Sequence, residues 1–201
     1  MNNWEFIEKL IYINLEDRKD RRETIQEVLK VIPQEKIIRF NAIKEKNGHI
    51  GASKSHIECI KMAIKNNWKN VMIIEDDMSW KKYEDGYKIL EKLISNPYDA
   101  IVLGGIRVHL DTKTYKLHEC HSMTAYIVSN HYYQTILENF EVGLENLIKT
   151  PEKHLNYCID QYWKKLHKKD NWFIVNPALC IQGKNFSSIL NTMVDTTNYF
   201  N

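Results

Sequence analysis

The chain lacks long apolar runs and a recognisable leader. Among its 201 residues, no uninterrupted apolar segment approaches the roughly 18 residues that a membrane-spanning helix needs. The first residues, Met1 to Glu5, contain neither the basic start nor the apolar core of a signal peptide. These absences predict a protein without a transmembrane segment and leave only peripheral membrane contact open.

Cysteine is scarce and scattered. The four cysteines show no CxxC spacing, which favours reduced thiols and a cytoplasmic location. They are Cys59, Cys120, Cys158 and Cys180. The pattern His118-x-Cys120-His121 contains residue types that bind zinc, but a fourth ligand at a suitable spacing is missing. Ordinary polar residues in a loop are therefore the favoured interpretation of that pattern.

A strong excess of charge is also absent. The 28 Lys and Arg residues nearly balance the 26 Asp and Glu residues, which leaves a net charge of +2. Nothing at the level of the whole chain points to nucleic acid, and we expect none as a partner. Basic residues do cluster at 18–22, 164–165 and 168–169. Such clusters are more often solvated helix faces than binding sites, although any of them can meet phosphate or an anionic acceptor.

The length of the chain predicts one domain, residues 1–201, and the sequence contains no internal repeat and no low-complexity linker. Apolar runs predict strands at 10–15, 36–42, 71–74, 99–105, 124–128 and 172–175. Helical spacing predicts helices at 17–30, 53–64, 83–94, 131–138 and 156–167, the first capped by Asp17 or Asp20. The segment 105–122 has weak periodicity and is expected to be an insertion or mobile loop. The alternation of strands and helices predicts a three-layer α/β fold with a mostly parallel central sheet.

The most informative segment is Val71-Met72-Ile73-Ile74-Glu75-Asp76-Asp77, in which an apolar run ends in three carboxylates. Like charges that are deprived of solvent repel one another unless a cation or the hydroxyls of a ligand share the site. The segment therefore predicts a hard divalent metal, Mg²⁺ or Mn²⁺, at the carboxyl edge of an α/β sheet. The alternative is a solvated junction between a strand and a loop.

Several blocks in order along the chain resemble one family. They are Asn14-Leu15 with Arg18, Asp20 and Arg21; Gly51 with Ser55-His56; Ile73-Ile74-Glu75-Asp76-Asp77; Ala125-Tyr126-Ile127-Val128-Ser129; Asp160 with Tyr162; and Pro177 with Gln182 and Ser187-Ser188. In this order they resemble glycosyltransferase family 25, which includes lipopolysaccharide-modifying, lipooligosaccharide-modifying and collagen galactosyltransferase-like enzymes. The resemblance implies a Rossmann-like GT-A fold, a UDP-sugar donor, Mn²⁺ dependence and inversion at the anomeric carbon.

The expected donor site combines this resemblance with the chemistry of each block. Asp77 is the principal expected metal ligand, because a metal there can offset the charge of a leaving diphosphate. Glu75 lies on the same side of an extended strand and is expected to join the metal or bind the ribose. Asp76 is expected to contact the nucleotide-sugar, although it alternates to the other side of the strand unless the strand has already turned.

Further donor contacts are expected from polar residues elsewhere. Backbone groups of Asn14 and Leu15 can read a base at the end of the first strand, and the guanidinium of Arg18 can bind phosphate in fork geometry. Arg21 could do the same, although an arginine on a helix can also be merely exposed. The remaining expected contacts come from the helix residues Ser55 and His56 and, on the resemblance alone, from Gln182 and Ser187.

Asp160 is the candidate base for an inverting transfer, which must remove the proton of the acceptor hydroxyl. Its aromatic surroundings, Tyr157, Tyr162 and Trp163, could desolvate the carboxylate and stack on a sugar. A buried helix with a paired Asp is the competing interpretation. Two departures from the family pattern are Thr124, where many relatives carry histidine, and Ala52, where cysteine is common.

The leading expectation is a hexosyltransferase of glycan biosynthesis that moves galactose or glucose from a UDP-sugar to a saccharide or hydroxylated acceptor. A sugar nucleotidyltransferase would use a similar sheet, but it would usually offer a Gly-rich phosphate loop after the first strand. Residues 14–22 contain no glycine. A non-catalytic module that binds nucleotide-sugars or glycans is the other alternative. The sequence does not indicate an oligomeric state.

Overall fold

The computed structural model describes residues 4–81, 84–183, 185–187 and 192–195, and for 185–187 it describes the backbone alone. The strands are β1 (Lys9–Asn14), β2 (Ile37–Asn41), β3 (Asn70–Glu75), β4 (Met78–Trp80), β5 (Ala100–Leu110), β6 (Leu117–Ser129), β7 (Trp172–Ile174), β8 (Cys180–Gln182), β9 (Asn185–Ser187) and β10 (Thr192–Val194). The helices are α1 (Lys19–Val28), α2 (Gly48–Lys65), α3 (Glu84–Ile94), α4 (Tyr133–Lys149), α5 (His154–Tyr157), α6 (Ile159–Tyr162) and α7 (Lys164–Lys169).

Six strands form the central sheet in the order β2-β1-β3-β6-β5-β7. β1 pairs in parallel with both β2 and β3, and β5 pairs in parallel with β7. β6 runs antiparallel to its neighbours β3 and β5. Five strands therefore share one direction, and the carboxyl ends of β1, β2 and β3 meet at one edge of the sheet.

Helices cover both faces of this sheet, because the central strands are apolar on both sides. Ile73 on β3 belongs to a core cluster with Ile60 of α2 and Phe140 of α4. Its neighbour Ile74 points to a second cluster on the opposite face, where α1 and α3 pack. Continuous apolar runs are typical of strands buried on both faces. The three-layer α/β/α prediction is confirmed.

Helix α2 begins earlier than the sequence predicts. The expected start was residue 53, but the helix starts at Gly48, and the side chain of Asn47 accepts a hydrogen bond from the backbone N–H of His49 at 3.0 Å. This amide cap satisfies a donor that the first helical turn leaves open. The additional residues place the amino end of α2 beside the sheet edge.

Helix α1 has no side-chain cap, so the expectation that Asp17 or Asp20 caps it is wrong. Asp20 forms an ion pair with the N-cap residue, Arg18, at 2.8 Å. This pair is a strong two-pronged contact, in which Nε and Nη2 of Arg18 bond to the two carboxylate oxygens of Asp20. Charge-assisted pairs of this kind are stronger than neutral hydrogen bonds.

The segment 105–122, expected as an insertion or mobile loop, instead forms a hairpin from the ends of β5 and β6. Ile106 pairs with His121 and His109 pairs with Glu119, with shifts in register between these pairs. The bulges explain the weak periodicity, because each extra residue reverses the alternation of inward and outward side chains. This hairpin extends past the edge at which β3 ends.

The helix predicted at 156–167 is broken into α5, α6 and α7. Cys158 adopts an extended conformation with φ −61° and ψ 153°, which separates α5 from α6. Strand β7 lies at the edge of the sheet, and Pro177 follows its end. All four cysteines are buried and free, and no helix in the described ranges is long and apolar enough to cross a bilayer.

A small sheet of β4 and β8 was not predicted, and it brings residues near 180 to the end of β3. Met78 pairs with Gln182, and Trp80 pairs with Cys180. The close approach depends on Gly104 of β5, where an added Cβ would overlap the carbonyl oxygen of Cys180. The absence of a side chain at Gly104 therefore lets β8 carry Gln182 to the carboxylate segment.

Candidate active site

A cleft of about 200 Å³ lies at the carboxyl edge of β1, β2 and β3. It is lined by the loop after β1, the amino-terminal half of α2, the end of β3 and the end of β8. Its lining residues include Leu15, Arg18, Arg21, Ile43, Lys44, Glu45, Gly51, Ser55, Glu75, Asp76, Asp77 and Gln182. The edge beyond the carboxyl ends of parallel strands is where open α/β sheets bind ligands.

Arg21 joins the last two carboxylates of the β3 segment. Its Nη1 lies 2.7 Å from Oδ1 of Asp76 and 3.1 Å from Oδ2 of Asp77. The three side chains are at most 12% exposed. A guanidinium between two carboxylates reduces the repulsion that makes such a cluster costly. The solvated-junction alternative therefore does not describe this segment, because its aspartates are buried and paired.

Asp77 is the most perturbed carboxyl group of the site. Its pKa is raised to about 7, first by burial and then by the neighbouring carboxylates Glu75 and Asp76, while Arg21 and Gln182 oppose the shift. Nε2 of Gln182 donates to Oδ2 of Asp77 at 3.1 Å, and the backbone N–H of Gly183 donates to its carbonyl oxygen at 2.9 Å. The other carboxylate oxygen, Oδ1, is buried without a hydrogen-bond partner among the described residues.

The carboxylates fit a divalent metal that is completed by a ligand. Oδ1 of Asp77 is an oxygen with open capacity, and the side chain of Glu75 in the same cleft is 28% exposed. Within the described ranges, no group of three or more His, Cys, Asp or Glu side chains is placed to hold an ion. Two protein carboxylates with phosphate and water oxygens are a common arrangement for Mg²⁺.

Asn14 lies behind the cleft and holds its parts together. Its Nδ2 donates to Oδ2 of Asp76 at 2.7 Å and to the carbonyl of Arg18 at 3.1 Å, and its Oδ1 accepts from Arg22 and Arg39. Asn14 is only 1% exposed. Its side-chain hydrogen bonds are thus used within the protein, so the side chain fixes the direction of Asp76 and the start of α1.

Ser55 and His56 are buried on α2 and contribute in different ways. The hydroxyl of Ser55 accepts from the backbone N–H of Ile43 at 2.9 Å and donates to the carbonyl of Gly51 at 2.8 Å. It therefore fixes the loop after β2 against α2. An added Cβ at Gly51 would lie 2.5 Å from the carbonyl oxygen of Ile43, so this loop can approach only a glycine.

His56 is buried between Tyr126 and Glu75. Its Nδ1 lies 2.8 Å from the hydroxyl of Tyr126, and its Nε2 lies 3.9 Å from Oε1 of Glu75. Burial raises the pKa of Tyr126, so its hydroxyl stays protonated and can donate to Nδ1. Nε2, on the other side of the ring, faces the carboxylate of Glu75.

Leu15 and Arg18 line the open side of the cleft. The Arg18 side chain is 18% exposed, and its partner Asp20 lies on the solvent side, with 66% of its side chain exposed. Hydrogen bonds from Arg18 lower the pKa of Asp20 to about 2. The same bonds raise the pKa of Arg18, and the charges of Asp76 and Asp77, which line the same cleft, raise it further.

Asp160 lies outside the cleft lining, at the same edge of the sheet but over β6. Its Oδ2 accepts from the backbone N–H of Ser122 at 3.2 Å, and its Oδ1 accepts from the thiol of Cys158 at 3.1 Å. The hydroxyl of Ser122 bonds to that of Thr124 at 2.6 Å. Since Ala125 pairs with Ile74 of β3, Thr124 is the residue beside Glu75.

Of the residues expected at the donor site, Leu15, Arg18, Ser55, Glu75, Asp76, Asp77 and Gln182 line the cleft, whereas Asn14 and His56 are buried outside its lining. Ser187 lies in β9, and its side chain is outside the described part of the chain, as is all of Ser188. The zinc pattern does not form a site, because Cys120 is fully buried and His121 bonds to Gln161 and Lys164.

Sequence reasoning undervalued Arg21. Arg18 precedes α1 and Arg21 lies within its first turn, and both side chains reach the cleft. The spacing of three residues was the available signal, because residues three apart lie on the same helix face. Sequence alone offered no reason to direct that face toward β3 instead of solvent.

Comparisons with known proteins support the fold. The structure of a glycosyltransferase involved in the glycosylation of the major capsid of PBCV-1 is similar over 87% of this chain and 92% of that chain, with 9% sequence identity and a TM-score of 0.53. At this identity the likeness shows the fold alone. It confirms the Rossmann-like GT-A class that the resemblance implied.

Two other solved structures are more distant. A197 from STIV covers 94% of this chain at 9% identity and a TM-score of 0.45, with 93% of its own length matched. The mannose-1-phosphate geranyltransferase from Thermus thermophilus covers 83% of this chain and 72% of its own, at 10% identity and a TM-score of 0.49. Scores below 0.5 support no conclusion about this chain. No family profile and no curated protein matches it, so membership of family 25 stays a prediction.

Proposed function

We propose that this protein is a metal-dependent glycosyltransferase that moves a hexose, galactose or glucose, from a UDP-sugar to a saccharide or hydroxylated acceptor with inversion. Glycan biosynthesis of the lipopolysaccharide type and a cytoplasmic location are parts of the same proposal. The observation that carries it is the buried Asp76–Asp77 pair at the carboxyl edge of β3, in which one buried Asp77 oxygen has no hydrogen-bond partner among the described residues.

The proposed metal is Mn²⁺ or Mg²⁺, held by Asp77 with Glu75. When bound, it would stabilise the negative charge that develops on the leaving diphosphate. The residues around it have separate tasks in the proposal. Arg18 binds phosphate from the open side of the cleft, and Arg21 offsets the repulsion between Asp76 and Asp77 at close range. The backbone at Leu15 and the loop at Ile43 face the nucleoside.

Asp160 is the proposed base. As the acceptor oxygen attacks the anomeric carbon, its proton passes to the Asp160 carboxylate, and the bond to the diphosphate breaks with its electron pair leaving on the nucleoside diphosphate. The hydrogen bonds from Ser122 and Cys158 hold the carboxylate in one orientation. Asp160 lies over β6, beside the strand that ends at Glu75, and in this proposal the acceptor approaches the donor cleft from that side.

A thermal-shift screen of UDP-, GDP- and CMP-sugars with and without Mn²⁺ tests the donor proposal. A ligand at 100 times its Kd stabilises the native state by about 2.7 kcal/mol, which amounts to several degrees in Tm. We expect a shift with UDP-sugar and Mn²⁺ together that Asp77→Ala abolishes. The matched control is Asp85→Ala, because that side chain is 78% exposed and lies outside the cleft lining. An unchanged shift in Asp77→Ala removes Asp77 as the metal anchor.

Product analysis then separates the alternatives. A glycosyltransferase releases nucleoside diphosphate from a nucleotide-sugar, and release increases with an acceptor. A sugar nucleotidyltransferase instead releases pyrophosphate from a nucleoside triphosphate and a sugar phosphate. A binding module shows the thermal shift without metal-dependent turnover.

A further inference from the structure

A basic cluster lies beside the proposed base and is not used by the donor site. We call it the His121 cluster. It consists of Arg107, Glu119, His121, Gln161, Lys164 and Lys168. Its members come from the hairpin of β5 and β6 and from α6 and α7, so tertiary packing assembles it.

The backbone of the hairpin is strained where the cluster forms. Arg107 has φ 51° and Ser122 has φ 72°, both in the left-handed region that residues other than glycine seldom adopt. The two residues follow Ile106 and His121, which pair with each other across the hairpin. Strained residues persist where surrounding structure enforces them, and they concentrate at functional sites.

The side chains around His121 offer more hydrogen-bond donors than acceptors. Nδ1 of His121 lies 2.9 Å from Nε2 of Gln161, and Nε2 of His121 lies 2.7 Å from Nζ of Lys164. A neutral imidazole accepts through one nitrogen only, while both neighbours donate. Exchanging the oxygen and nitrogen of the Gln161 side-chain amide does not remove this mismatch, because Oε1 in its present position accepts from Lys164 at 2.7 Å. The group therefore lacks an acceptor.

Positive charges also outnumber negative charges in the His121 cluster. Lys164 forms a 3.1 Å ion pair with Glu119, and Lys164, Lys168 and His121 lower the pKa of that single carboxylate. Burial lowers the pKa of His121, and the positive charges of Lys164 and Arg107 lower it further. In the described part of the chain, the exposed Arg107 side chain makes no hydrogen bond or ion pair.

The His121 cluster adjoins Asp160 through two neighbouring residues. Ser122 follows His121 directly, and its backbone N–H donates to Asp160 at 3.2 Å. Gln161, which contacts His121, follows Asp160 directly. A molecule whose hydroxyl reaches Asp160 would thus place neighbouring atoms near Arg107 and His121.

We infer that the His121 cluster is a subsite for an anionic group, phosphate or carboxylate, carried by the acceptor saccharide. This inference rests on the proposed function, since it assigns the substrate class of the same enzyme. An anionic oxygen supplies the acceptor that the cluster lacks and pairs with the guanidinium of Arg107 in fork geometry. A purely structural network would explain the Lys164–Glu119 pair, but it would leave the donor at His121 without an acceptor.

The test is an NMR titration of the ¹⁵N-labelled full chain with glucose, glucose 6-phosphate and glucuronate. Saturating UDP and Mg²⁺ are present, so that phosphate sites in the donor cleft are filled without the line broadening that Mn²⁺ causes. We expect an anionic sugar to bind at least about tenfold more tightly than glucose, as one or two charge-assisted hydrogen bonds allow. The backbone signals of His121 and Ser122 should shift. A gain in affinity over glucose for glucose 6-phosphate alone identifies phosphate as the anionic group, and a gain for glucuronate alone identifies carboxylate.

Two variants and one control decide the assignment. Arg107→Gln changes an exposed side chain and should remove most of the gain, and Lys164→Gln should do the same. Lys65→Gln removes an equal charge from an exposed position at the end of α2 and should keep the gain. Equal binding of all three sugars overturns the inference, as does an equal loss in Lys65→Gln or a gain that survives in both cluster variants.

The binding of UDP and Mg²⁺, measured before any sugar is added, judges the proposed function separately. If UDP does not bind, the donor proposal fails, while the signals of His121 and Ser122 still report whether anionic sugars bind at the cluster. If UDP binds and anionic sugars show no gain, only the subsite is rejected.

Discussion

Nη1 of Arg21 donates a hydrogen bond to Oδ1 of Asp76 at 2.7 Å, and both side chains are almost completely buried. Asp76 is held from its other oxygen by Nδ2 of Asn14 at 2.7 Å. The carboxylate is therefore fixed from two sides before any ligand arrives. Its neighbour Asp77 has one buried oxygen without a hydrogen-bond partner in the described part of the chain, so the two aspartates differ in how their hydrogen-bonding capacity is used.

Replacing Arg21 should destabilise the protein in a pH-dependent way. Arg21→Met leaves two buried carboxylates without their shared cation, which typically costs about 3–5 kcal/mol. The cost should be smaller at pH 5 than at pH 8, because Asp77, with its pKa of about 7, is protonated at the lower pH. Urea denaturation at both pH values measures it. Lys19→Gln, an exposed change on the same helix, serves as the control, and equal losses in the two variants would contradict the buried role.

Metal binding by Asp77 should depend on pH near neutrality. The raised pKa of about 7 means that an ion must displace a proton below that pH. We expect affinity for Mn²⁺ to be nearly constant above pH 7 and to fall by up to about tenfold per pH unit below it. Calorimetric titration with Mn²⁺ and UDP from pH 5.5 to 8.5 measures this. A flat profile between pH 6 and 8 would argue against Asp77 as the ligand.

Without metal, Asp77 should weaken the fold as pH rises. Its folded-state pKa of about 7 lies above the ordinary value of 3.8, so its contribution to stability is present below about pH 4 and is lost as pH rises through 7. Asp77→Asn removes this penalty. The variant should gain on the order of 1 kcal/mol or more over wild type at pH 8 and little at pH 4. Urea denaturation in the presence of a chelator measures the difference, and a constant difference across pH would refute the buried-carboxyl interpretation.

Asp160→Asn should separate donor binding from transfer. The amide keeps the size of the side chain, so the thermal shift with UDP-sugar and Mn²⁺ should stay near that of wild type. Loss of a general base lowers the rate of transfer by about 10²–10⁴-fold. The measurement is UDP release with a panel of saccharide acceptors, and Glu152→Gln, an exposed change upstream, is the control. Full transfer activity in Asp160→Asn would rule it out as the base.

His167 should make the protein sensitive to acid. Burial lowers its pKa to about 3, and its ring lies against Trp163 and Trp172 with neither nitrogen bonded to a described residue. The unfolded chain takes up a proton below about pH 6.5 and the folded chain does not, so stability present above that pH is lost as pH falls. The loss at pH 5 is about 2 kcal/mol.

His167→Phe should recover much of that stability at pH 5 and change little at pH 8, as measured by urea denaturation. The phenyl ring keeps the aromatic contacts and removes the titration. His118→Phe, at a half-buried position in the hairpin, is the matched control. A gain of similar size at both pH values would show that packing, and not the proton, accounts for the effect.

The local pattern of apolar and polar residues predicted the secondary structure best where the helices and strands are regular. β1 and β3 were found within one or two residues, because strands buried on both faces are marked by unbroken apolar runs. The hairpin at 106–121 was missed, since its bulges scramble the alternation on which recognition depends. The break at Cys158 was missed as well, because neither proline nor glycine marks it.

The sequence by itself determined the layered α/β class, the end of β3 as the candidate site and the identity of the carboxylates there. These follow from local periodicity, and from the cost of ending a buried strand in three acids. Only the tertiary structure decided how those acids are used. Arg21, Asn14 and Gln182 reach Asp76 and Asp77 from positions up to 105 residues away in sequence. Burial, charge pairing and open hydrogen-bonding capacity depend on such distant neighbours, and no local pattern encodes them.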